Sequence, residues 1–68
     1  MKIISEGFKI TEEDKKIVKL ELDFLTQYYI KSINDLIYHD MAMTSEGKYP
    51  YTLVKGKNPN EVIVKLKK

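Results

Sequence analysis

The chain contains no cysteine, no tryptophan and no arginine, and only three glycines and two prolines. Without cysteine there are no disulfide staples, no thiolate nucleophile and no cysteine-rich zinc site, so stability has to come from packing or from association with another chain. Without arginine all 12 basic residues are lysines. The planar guanidinium fork that usually grips phosphate or guanine in two places is therefore missing, which disfavours tight, base-specific reading of DNA. No apolar run approaches the roughly 20 residues that cross a bilayer, and the opening "MKIISEG" lacks the hydrophobic segment of a signal peptide. These absences predict a soluble, cytoplasmic protein with no cofactor.

The composition is that of a folded domain: 43% of the 68 residues are hydrophobic and 32% are charged, with both signs present. Residues 1–68 form a single small domain. A domain of this size buries only about 60% of the surface its unfolded chain exposes, so its core is thin and a second chain would help it. The net charge of +2 hides a segregation. Residues 1–47 carry six lysines against nine acids, whereas residues 48–68 carry six lysines against Glu61 alone. The tail is basic and the rest is acidic. Lysine-, isoleucine- and asparagine-rich usage also fits an AT-rich genome, such as that of a low-GC bacterium or its phage.

The scarcity of glycine and proline shapes the secondary structure. "KIISEGFKI" (2–10) reads as a strand with Ile4, Phe8 and Ile10 on one face and Gly7 at a bulge. "TEED" then starts a helix: Thr11 caps it, Asp14 takes the capping-box position, and Glu12 and Glu13 favour the positive end of the dipole. From Glu12 no glycine or proline interrupts the chain before Gly47. At 100° per residue, Val18, Leu22, Leu25, Tyr29, Ile33 and Leu36 fall in one stripe that faces the core. Ile17, Leu20, Phe24 and Tyr28 form a second apolar face. An unbroken helix over 12–43 would span about 48 Å, against a globule of about 28 Å. Either it breaks near Ser32 to Asp35, or the overhang packs on another copy. The sequence favours one long helix and a homodimer through Ile17, Leu20, Phe24 and Tyr28.

After the stop signal at 45–47, "YPYTLVKG" and "EVIVKLKK" read as two strands joined by the turn residues "GKNPN". Pro50 belongs at a strand start or an edge because it has no N–H. The expected fold is α+β with the order β-α-β-β, a small, mainly antiparallel three-stranded sheet packed on one long helix.

Few residues suggest chemistry. His39, the single histidine, stands one helical turn after Asp35. The pair could supply two metal ligands or an oriented base, but no third ligand is evident, and a histidine near a helix C-terminus is favoured by the dipole alone. There is no nucleophile beside a base and no glycine-rich phosphate loop, so no enzymatic activity, metal or small-molecule substrate is expected. Met41 and Met43 read as core filling. Tyr49 and Tyr51, interleaved with Lys48, Lys55 and Lys57 and followed by Lys65 and Lys67, match in composition a platform for single-stranded nucleic acid. The plainer account is a tyrosine-bearing strand whose lysines protect an edge. The sequence therefore points to a non-enzymatic protein–protein interaction module, a small regulator or inhibitor that dimerises and binds a larger protein. The alternative is a nucleic-acid-binding protein using the basic hairpin.

Overall fold

The computed structural model describes residues 1–41 and 50–66. The strands are β1 (Lys2–Glu6), β2 (His39–Asp40), β3 (Tyr51–Lys55) and β4 (Glu61–Leu66), and one long helix, α1 (Glu12–Tyr28), and a 3-10 turn (Ile33–Asp35) lie between β1 and β2. The fold is α+β, with a four-stranded mixed sheet in the order β1-β4-β3-β2. β4 pairs in parallel with β1 and antiparallel with β3, which in turn takes β2 antiparallel. The sheet thus has one strand more than the sequence predicted. Its extra member is the two-residue β2, drawn from a stretch expected to be helical.

One face of the sheet and one stripe of the helix make the core. Val18, Leu22 and Leu25 of α1 are buried together with Leu53, Val62 and Val64 of the sheet, and Ile33, Leu36 and Met41 close the end. Of the apolar face expected on β4, Val62, Val64 and Leu66, the first two are fully buried, whereas Leu66 at the strand's end is exposed, and Glu61 at its start is buried. β1 departs from expectation. Register places Ile3 beside Val62 and Ile4 beside Ile63, so Ile3 faces the core and Ile4 the other side. The strand ends at Glu6, and Gly7 turns with φ 83°, a backbone conformation that favours glycine. That turn, braced by Ser5 Oγ donating to the Phe8 carbonyl over 2.7 Å, brings Phe8 and Ile10 back to the core by a bend and not by strand alternation.

Helix α1 begins as the sequence predicts: Thr11 is the N-cap, and its hydroxyl accepts from the Asp14 N–H over 3.1 Å. It does not run on to residue 43. The N–H groups of Tyr29 and Ile30 both turn to the Leu25 carbonyl, at 2.8 and 2.9 Å. Ser32 then takes an extended backbone and caps the 3-10 turn through its hydroxyl, which accepts from the Asn34 N–H. The helix of 17 residues spans about 25 Å at 1.5 Å per residue. It fits a molecule of 27 × 23 × 21 Å and leaves no overhang. The stop expected at 45–47 lies outside the described residues.

The β3–β4 turn is organised by Glu61. Its Oε1 accepts from the backbone N–H groups of Lys57 (3.0 Å) and Asn58 (3.3 Å), and its Oε2 accepts from the Asn58 side-chain amide (3.3 Å). These bonds, the Asn58 backbone N–H first, together with the charge of Lys2, hold the Glu61 carboxyl below its ordinary value of 4.5, against the opposing effect of burial. The turn needs glycine at position 56, because a Cβ there would sit 2.6 Å from Cγ and 2.9 Å from Cβ of Glu61. Asn60 supplies the positive φ of 58° that reverses the chain. Gly56→Ala is expected to destabilise the fold by about 1–3 kcal/mol through overpacking. A carboxyl whose folded-state pKa is lowered contributes stability at pH values above its unfolded value and loses it as pH falls through the folded one. Glu61→Gln should therefore lower the urea midpoint at neutral pH, with the gap to wild type closing as pH falls below 4.5. A gap that stays constant through that range would contradict this account.

Candidate functional site

The prominent concavity is a cleft of about 750 Å³ between the C-terminal half of α1 and the chain from Tyr29 to Asp40. Its walls form because the helix ends early. Had α1 continued, Tyr29 would extend the buried stripe; instead it is 72% exposed, while Ile33 and Leu36 enter the core from the 3-10 turn. Ile30 packs partly against the core, and Ile37, 86% exposed, and Tyr38 stand out into solvent.

At the side of this cleft His39 meets Glu21. The register of β2 sets His39 opposite Leu53, so its side chain shares the helix-facing side of the sheet. Glu21 lies three residues after Val18 and four before Leu25, which places it on the edge of the buried helix stripe. The imidazole Nε2–H donates to the Glu21 carboxylate Oε2 over 2.6 Å, and both side chains are partly buried. The pairing expected between His39 and Asp35 does not form an i, i+4 face, because Asp35 ends the 3-10 turn and His39 begins a strand. Among the described residues no three His, Asp or Glu side chains gather to hold a metal ion.

The residues expected at a dimer interface divide. Leu20, Phe24 and Tyr28 are exposed along one line of α1, whereas Ile17 is half-buried and packs on the core of its own chain. The Phe24 ring contacts those of Tyr28 (4.9 Å between centroids) and Tyr29 (5.7 Å). Phe24 and Tyr29 also line the cleft. The helix stripe and the cleft are thus one continuous aromatic surface.

Of the residues expected on the basic hairpin, Tyr51, Lys55, Lys57 and Lys65 are among the described ones. Tyr51 is 7% exposed: its ring stacks on Phe8 with centroids 5.5 Å apart, and its hydroxyl donates to Asp14 Oδ2 over 2.5 Å. Lys55, Lys57 and Lys65 are exposed, but register puts Lys55 beside Val62 and Lys65 beside Thr52, on opposite faces of the hairpin. Lys65 Nζ lies 3.6 Å from Glu6 Oε1. Lys48, Tyr49 and Lys67 lie outside the described residues.

Glu21, Ile37 and Tyr38 were not singled out from the sequence, and Tyr29, expected in the core-facing stripe, is exposed instead. The signal was the density of large apolar residues between positions 28 and 38, more than one buried stripe can absorb. The described residues contain no helix long and apolar enough to cross a membrane. No protein-family model, curated protein sequence or solved structure matches the chain.

The His39–Glu21 bond ties β2 to α1 and so holds one wall of the cleft. A double-mutant cycle with Glu21→Gln and His39→Gln is expected to give a coupling of about 1 kcal/mol in unfolding free energy. Additive effects of the two substitutions would mean that the contact does not support the wall.

Proposed function

We propose that this protein is a non-enzymatic interaction module, a small regulator or inhibitor that self-associates and docks on a larger protein through the aromatic surface of α1 and the cleft. The observation that carries this function is the clustering of exposed apolar side chains. Val18, Leu22, Leu53, Val62 and Val64 already fill the interior, yet Leu20, Phe24, Tyr28, Tyr29, Ile37 and Tyr38 remain exposed together. Scattered apolar residues are ordinary on a protein surface, but a contiguous patch is costly in water and marks a place where another molecule docks. Its makeup supports the same conclusion. Tyrosine and phenylalanine are enriched at the centres of protein interfaces, where a rigid ring buries much area at small entropic cost and a phenol keeps a polar end.

Self-association through the helix stripe follows from its geometry. Leu20, Phe24 and Tyr28 recur every four residues, so their side chains stack along one ridge of α1 that a second copy can meet with the same ridge. A domain with so thin a core gains stability from burying that ridge. Leu20→Glu and Phe24→Asp are expected to weaken the dimer by about tenfold or more in sedimentation equilibrium, while shifting monomer stability by no more than about 0.5 kcal/mol. A wild-type chain that stays monomeric throughout the micromolar range, or variants that associate as well as wild type, would overturn the self-association.

A further inference from the structure

Strand β1 is an edge of the sheet, and among the described residues no strand pairs with its outer side. The Lys2 N–H donates to the Asn60 carbonyl just before β4. By strand alternation the backbone groups of Lys2, Ile4 and Glu6 therefore turn to β4, and those of Ile3 and Ser5 turn outward. Neither Ile3 nor Ser5 has another backbone partner among the described residues. We propose that a second copy of the chain fills this edge: the two β1 strands pair antiparallel about a two-fold axis at Ile4, and the two sheets become one. This contact is separate from the helix ridge of the proposed function. Lys15 and Lys19 adjoin Lys2 and Ile3 on the β1 flank of the helix, whereas Phe24 of the ridge lines the cleft with His39 of β2.

The edge is complementary to itself in one register. An antiparallel neighbour must set outward-turned residues against outward-turned residues, because such pairs exchange both their N–H···O bonds. Ile3 of one copy opposite Ser5 of the other meets that condition on both sides of the axis. The same register brings Ile4 against Ile4 in the close, non-hydrogen-bonded position and Lys2 against Glu6 at either end. Shifting one copy by two residues would oppose Lys2 or Glu6 to Ile4 and carry Ser5 or Ile3 past the end of the other strand. Charges commonly guard an edge by repelling a like strand. Here the two ends carry opposite signs, and an antiparallel copy joins them. Glu6 meets Lys65 through Oε1 at 3.6 Å, on an exposed pair of side chains, so Oε2 is left for the second lysine. Five residues a side is well short of the roughly 20 to 30 of a stable interface, so the contact forms at high protein concentration. A chain that uses both this edge and the helix ridge builds assemblies larger than a dimer.

The test is amide hydrogen exchange across a dilution series of the full chain carrying Leu20→Glu, so that the helix ridge does not contribute. The Ile3 and Ser5 amides are expected to exchange about tenfold more slowly in the concentrated sample than in the dilute one. Lys2→Glu alone or Glu6→Lys alone sets like charges against each other at both ends of the pair and should abolish that gain. An equimolar mixture of these two variants restores opposite charges and should recover it. Ile4→Lys, which sets two lysines face to face on the axis, should abolish the gain by a second route and decides the matter if either charge variant fails to fold in its unfolding curve. Exchange at Ile3 and Ser5 that does not depend on concentration overturns the edge pairing. So does a gain that survives Ile4→Lys or a single charge reversal, or a mixture of folded charge variants that does not recover it. None of these results touches the helix ridge, which is silenced throughout.

Discussion

The carboxylate of Glu61 is the point on which the sheet turns. It closes the β3–β4 turn by accepting from three N–H donors of Lys57 and Asn58. The same turn reaches the other elements. The Asn60 carbonyl accepts from the Lys2 N–H at 2.8 Å and opens the parallel pairing of β1 with β4. The Asn60 N–H donates to the Asn34 side chain at 3.1 Å and ties in the 3-10 turn. An acid that is nearly inaccessible yet fully engaged would be costly to bury without these donors. Here it fixes the register of the central strand, and with that register goes the assignment of every side chain in β4 to the core or to solvent.

From the central strand outward, register passes to the functional surface. β3 aligns on β4, β2 aligns on β3, and that alignment aims His39 at Glu21 of the helix. The early end of α1 does the rest. A chain of this size cannot cover a longer helix, so after Tyr28 it turns back over the end of the core, sending Ile33, Leu36 and Met41 inward and leaving Tyr29, Ile37 and Tyr38 outside. The same economy of core that makes a small domain marginal thereby concentrates aromatic surface on one side of it.

Much of the architecture was legible in the residues. The cap at Thr11, the Val18, Leu22 and Leu25 stripe, the turn at 56–60 and the alternation of Val62 and Val64 all act over short sequence distances, where backbone chemistry and periodicity are decisive. The helix end was harder to read. Ile33 and Leu36 are three residues apart, and a 3-10 turn brings such a pair to one face as an α-helix does, so the pattern of apolar residues was the same for both. The exposed stripe of Leu20, Phe24 and Tyr28 was visible as a second apolar face, but the role of Tyr51 was not: its partners Phe8 and Asp14 are distant in sequence, and nothing local distinguishes a buried tyrosine from an exposed one.

The sequence by itself determined the class of fold, the start of the helix, the chief turn and the lack of thiol and guanidinium chemistry, because each depends on residue type or on spacing within a few positions. Only the tertiary structure decided the parallel pairing of β1 with β4, the meeting of His39 with Glu21 and the gathering of carboxylates and rings around one cleft. These depend on which segments lie side by side, and strand register, unlike periodicity, is settled by the packing of the whole chain.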